Sequence, residues 1–163
     1  MNIVIANRQR TKSINSRWLK QIVEALMGEL KVTDAELGIH LVGAKEMARV
    51  NWQYLQHEGS TDVITFDHQE PPPGSETLSP GRQVHGELFV CVDEAISQAR
   101  EFKTSWQSET VRYVIHGVLH LLGHDDLKPD LRRKMKREEN RLLRGLAKKF
   151  SFTQLARTAK LRA

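Results

Sequence analysis

His116 and His120 stand four residues apart in the stretch His116-Gly117-Val118-Leu119-His120-Leu121-Leu122-Gly123-His124-Asp125-Asp126. Around them Val111, Val114, Ile115, Val118, Leu119 and Leu122 recur at helical spacing, so the two imidazoles leave one helix face with their Cβ atoms about 5–6 Å apart. Two rings so placed can share one ion. Gly123 follows the last apolar turn, where a left-handed residue ends a helix and lets the chain swing back toward the same face. Either His124 or Asp126, just beyond it, would complete a three-ligand site whose fourth position is left to water or substrate, the arrangement of a catalytic zinc. His124, one residue past the glycine, has to bend back more sharply than Asp126. Two histidines on an apolar helix can also be plain core residues, but a pair at four followed by glycine and a third donor at fixed offsets favours a metal site.

The spacing is that of the metzincin proteases, whose first histidine is followed by the glutamate that serves as general base. Gly117 occupies that place here. Glycine in a helix interior costs about 1 kcal/mol relative to alanine, so either close packing or room for substrate must explain it. The version without glutamate, His-Gly-x-Leu-His-Leu-x-Gly, resembles the YbeY family of ribosomal-RNA maturation endoribonucleases. Two further segments are similar to that family, Thr61-Asp62-Val63-Ile64-Thr65-Phe66 and His85-Gly86-Glu87-Leu88.

The resemblance implies a metal-dependent single-strand endoribonuclease acting in ribosomal-RNA maturation and ribosome quality control. It implies one Zn²⁺ per chain, held by His116, His120 and Asp126. RNA would enter a groove between the motif and the strand 61–66, and the partners would be a ribosomal-RNA precursor with a ribosomal subunit or assembly factors. Two departures stand against the family pattern. Asp126 occupies the place of a third histidine, although a carboxylate oxygen is a competent zinc ligand. Leu55-Gln56-His57 follows Tyr54 where many members place an arginine, so no phosphate-binding arginine carries over from that position and no general base is assignable. A metallopeptidase, disfavoured by Gly117, and a non-catalytic RNA-binding assembly protein with a structural metal are the competing readings.

The chain has 163 residues with 25 Lys or Arg against 20 Asp or Glu, enough for one domain with its own core. The excess charge is uneven. From residue 128 onward thirteen cations face three acids, leaving twelve against seventeen before it. Such a block suits phosphate backbones, or else a solvated helix face. A single cysteine, Cys91, excludes a disulfide framework and suits a reducing, cytoplasmic setting. No stretch approaches the roughly 20 apolar residues that span a bilayer, so no membrane partner is expected.

Periodicity predicts strands over 2–7, 37–43, 61–66 and 84–92 and helices over 15–30, to about 55, 93–102, around the motif, and from Pro129 onward. Asp93 reads as a cap for the helix it begins, and 104–107 as a capping box for the motif helix. Residues 67–83, with four of the five prolines, read as a mobile flap. Gly86 marks close backbone approach or a bulge, with substrate lying along that strand as one option. The fold expected is α/β, a single small domain over 1–150 with about four strands in a mixed sheet, about five helices, and the metal motif on a central buried helix. Residues 151–163 read as a basic C-terminal tail that can stay disordered.

Overall fold

The structure is a computed structural model that describes residues 1–69 and 82–156. Strands β1 (Asn2–Asn7), β2 (Val32–Val42), β3 (Val63–Asp67) and β4 (Arg82–Cys91) form one sheet in the order β1-β2-β4-β3. β1, β2 and β4 run parallel, and β3 pairs antiparallel to β4. Helices α1 (Ser16–Glu29), α2 (Ala44–Val50), α3 (Val92–Phe102), α4 (Trp106–Leu121) and α5 (Pro129–Lys149) complete the single-domain α/β fold that the periodicity predicts.

Strand alternation divides the core in two. Leu37, Ile39, Leu41, Val84, Leu88 and Val90 meet α1, α4 and α5 on one face, whereas Val42, Ile64 and Cys91 point the other way and pack under Met47 and Val50 of α2. Ten residues of α4 are buried, because it lies against the sheet while α3 and α5 flank it. Burying a Leu or Ile side chain is worth roughly 1.5–3 kcal/mol, so this packing fixes the axis on which His116 and His120 ride.

Several local readings change. Helix α2 ends at Val50 and continues as one wide turn over Asn51–Leu55, closed by Gln56 at φ 55°. Asp93 does not cap its own helix. Its carboxylate accepts from the Ala44 amide at 2.6 Å and the Thr11 hydroxyl at 2.8 Å, capping α2 across the fold. Ser105 does cap α4, accepting from the Ser108 amide at 3.1 Å. The start of the supposed tail is also packed: a short 3₁₀ turn over Phe152–Leu155 buries Leu155, whose carbonyl accepts from the Asn15 amide at 2.8 Å. The fold therefore extends past residue 150, and 157–163 lie outside the described residues, as do residues 70–81 of the segment read as a flap.

The glycine alternatives resolve to packing. A Cβ on Gly117 would stand 2.7 Å from Leu88 Cδ2, and one on Gly86 would stand 2.3 Å from the Phe66 carbonyl oxygen. Gly117 lets α4 settle on β4. Gly86 sits on a central strand with neighbours on both sides, so substrate cannot lie along β4; β3, on the sheet edge beside α4, has the open side.

Candidate metal centre and its cleft

Helix α4 ends in a closed hydrogen-bond pattern that aims the third donor. The Gly123 amide donates to the His120 carbonyl at 2.9 Å and the His124 amide to the Leu119 carbonyl at 3.0 Å, with Gly123 at φ 95°. These two bonds define a Schellman motif, which reverses the chain at the helix end. Asp125 Oδ1 then accepts from the Leu127 amide at 2.8 Å, turning the loop so that Asp126 returns over the face of the two histidines.

The result is a three-membered cluster. His116 Nε2 and His120 Nε2 are 3.1 Å apart, and Asp126 Oδ2 lies 3.7 Å from the first and 3.6 Å from the second. A tetrahedral ion with bonds of about 2.0–2.1 Å needs ligand separations of about 3.3–3.4 Å, which the three distances bracket. Among the described residues this is the one group of histidine, cysteine and carboxylate side chains close enough to hold an ion.

Proton accounting sharpens the fit. His116 Nδ1 faces the Glu139 carboxylate at 2.9 Å and His120 Nδ1 faces the His124 carbonyl at 3.0 Å. Both partners only accept, so each Nδ1 carries the hydrogen and each Nε2 presents a lone pair. Two lone pairs and a carboxylate oxygen thus converge on one point. A cation, or failing it a proton, satisfies all three. Burial disfavours a charged His116 ring, but the hydrogen bond and charge of Glu139, with Asp62 and Asp126, outweigh it and raise its pKa above 6.5. A metal ion held here would have to displace that proton, so its affinity would decline as pH falls below the raised value.

Glu139 is the residue that sequence reasoning missed. It is 4% exposed on α5 and also accepts from Arg112 Nη1 at 2.9 Å. Burial pushes its pKa up, but the hydrogen bonds from His116 and Arg112 and the nearby charges hold it below 4.5. It fixes the His116 ring as outer partners of metal ligands do. The signal was present in the sequence: Glu139 falls on the apolar stripe Met135, Leu142, Leu146, where an acid needs a partner.

His124 contributes its backbone to the site, and burial, followed by the Lys134 charge, pushes its side-chain pKa down. His57 is exposed at the end of the wide turn and is not in the cleft. That cleft, about 480 Å³, opens beside the cluster and is lined by Asp62, Arg112, Tyr113, His116, Asp126 and Arg132 among others. Asp62 comes from the segment that leads into β3, so the metal motif and the 61–66 segment both line the cleft.

The family model for Endoribonuclease YbeY matches residues 4–147. The chain belongs to the YbeY endoribonuclease family. It is 33% identical over 154 residues to the Endoribonuclease YbeY of Chlorobium phaeovibrioides, covering 94% of this chain and 97% of that one. It is 32% identical over 136 residues to its counterpart in Salinibacter ruber, covering 83% and 86%. The solution structure of TM1509 from Thermotoga maritima superimposes with a TM-score of 0.67 at 23% identity, over 99% of this chain and 100% of that one. That likeness shows a shared fold. Within the YbeY family frame, Asp126 stands as the carboxylate member of the cluster, which gives a direct comparison with His124. Metal affinity should fall by more than 100-fold for Asp126→Ala and by less than threefold for His124→Ala, measured by competition with a chromophoric chelator. The opposite ranking would reassign the third ligand.

Proposed function

We propose that this protein is a zinc-dependent endoribonuclease that cleaves single-stranded RNA during ribosomal-RNA maturation and ribosome quality control in the cytoplasm, with ribosomal subunits or assembly factors as partners. The observation that supports it best is the convergence of His116, His120 and Asp126 as three acceptors beside a cleft whose wall includes Arg112, Arg132 and Lys136. When bound there, zinc supplies positive charge against a phosphoryl oxygen and activates water at neutral pH. The chain's own residues do the rest. Glu139 and the His124 carbonyl hold the two rings in their ligating tautomer, and Arg112 balances Glu139.

A peptidase reading is disfavoured by the same geometry. Position 117 is glycine, so the carboxylate that follows the first histidine of a zinc peptidase is missing, and a side chain there would crowd Leu88. A long cationic helix instead suits a polyanion. Among the described residues Arg133, Lys134, Arg137, Arg144 and Lys148 of α5 have no carboxylate within salt-bridge reach. No helix among the described residues is long and apolar enough to cross a membrane.

The test is metal-loaded protein against single-stranded RNA, with a peptide substrate in parallel. RNA should be cut and the peptide left intact. RNA affinity should fall about 10-fold or more between low and physiological salt, because each phosphate neutralised contributes a slope of roughly −0.7 in log affinity against log salt. Binding that is flat over that range, or metal-dependent proteolysis, would overturn the reading.

A further inference from the structure

The cleft beside the metal cluster has three permanently cationic side chains in its wall, Arg112, Arg132 and Lys136. Two of them already have a counter-charge. Arg112 lies 2.9 Å from Glu139 and 3.8 Å from Glu109, and it also bonds Asn140 at 2.8 Å. Lys136 lies 3.5 Å from the same Glu139. Arg132 differs. Its Nε donates to the backbone carbonyl of Asp126 at 3.1 Å, and neither terminal nitrogen has a hydrogen-bond or carboxylate partner among the described residues.

This is a positioned cation with its binding edge left free. The Nε bond ties the side chain to the residue that supplies the carboxylate of the metal cluster, and α5 holds its base through the Arg132 amide on the Lys128 carbonyl at 2.8 Å. A guanidinium so held loses little freedom on binding, and its two terminal nitrogens match two phosphate oxygens. We propose that Arg132 is the phosphate-clamping residue of this cleft, gripping a phosphate of single-stranded RNA next to the His116, His120 and Asp126 cluster. The clamp rests on the endoribonuclease reading above. It assigns the cleft's substrate contact to α5, which lines the cleft together with Asp62 of the segment that leads into β3.

The test uses Arg132→Gln. Glutamine Nε2 stands the same number of bonds from Cα as arginine Nε, so it can keep the bond to the Asp126 carbonyl while the charged fork is removed. Native protein, R132Q, R132K and K20Q are loaded with zinc. Each is assayed for cleavage of a short single-stranded RNA and for binding of its uncleavable 2′-O-methyl analogue. R132Q should keep native metal content and melting temperature but lose about 100-fold in kcat/KM, the scale of removing one donor that stabilises a transition state. R132K should recover part of that loss, because it restores a point charge without the fork. K20Q, exposed on α1 and outside the cleft, should stay within threefold of native. Cleavage by R132Q within threefold of native would sink the clamp alone. Parallel loss of metal and activity in R132Q would show that Arg132 only ties down the loop. Native protein that neither binds nor cleaves RNA would sink the nuclease reading, and the clamp with it.

Discussion

The double variant His116→Ala/His120→Ala is expected to retain no stoichiometric metal after dialysis and to show no RNA cleavage above background. Two of the three converging acceptors disappear, leaving Asp126 as a single carboxylate that is 37% exposed in its side chain. A lone exposed carboxylate holds a divalent ion too weakly to survive dialysis, whereas a three-ligand site gains from ligands already arranged by folding. Elemental analysis of the purified variant decides the matter. The fold should survive in the metal-free state, because both rings are more than a quarter exposed and their Nε2 lone pairs face one another at 3.1 Å. Circular dichroism that matches the native protein would establish that metal loss is local. Stoichiometric metal in a folded double variant would place the site elsewhere.

Much of this site was legible because its information is local. The spacing of His116, His120, Gly123 and Asp126 is set by helical pitch and one helix-ending motif, and both act within a dozen residues. Most strands and helices followed from period alone for the same reason, although β2 begins at Val32 rather than at residue 37. What escaped depends on contacts between distant segments. Asp93 caps α2 rather than its own helix because the turn after β2 lies beside the start of α3, which no local pattern reveals. Leu155 is buried because Asn15 and Ile14 meet it from the other end of the chain, so a segment without periodicity of its own still packs. Whether Gly86 served packing or a substrate edge stayed open, because strand order decides which strand is exposed, and order is a property of the whole sheet. Arg132 looked like one more charge on a basic helix. Its significance comes from the bond to Asp126 and from the carboxylates that the other two cations of the cleft, Arg112 and Lys136, possess and it lacks.

Glu139 shows how an outer residue governs the site, and its removal should have the second large effect. Glu139→Ala leaves the Arg112 guanidinium, 23% exposed in its side chain, without the carboxylate that stands 2.9 Å away, and removes the acceptor of His116 Nδ1. Breaking a fully buried ion pair from one side costs about 3–5 kcal/mol, and the cost here is smaller because Glu109 and Asn140 stay beside Arg112, so calorimetry would read a lower melting temperature. Glu139→Gln keeps an acceptor for the ring and isolates the electrostatic part. In the metal-free native protein the Glu139 carboxylate has a lowered pKa, so its contribution is present above pH 4.5 and fades as pH falls through the folded value. His116 has a raised pKa, so its contribution is fully present below pH 6.5 and fades as pH rises through the folded value. The pair therefore stabilises the metal-free fold most between about pH 4.5 and 6.5, and that maximum should vanish in Glu139→Gln. Metal binding should respond in two directions. Without the carboxylate to support the imidazolium, the proton competes less well and the pH midpoint of metal uptake should move down. Without the carboxylate to raise the basicity of the ring, affinity well above that midpoint should fall 10- to 100-fold. Zinc titrations of both proteins from pH 5.5 to 8.5 separate the two. An unchanged midpoint together with unchanged affinity would mean that Glu139 serves only to bury Arg112, and that the orientation of His116 is set by packing alone.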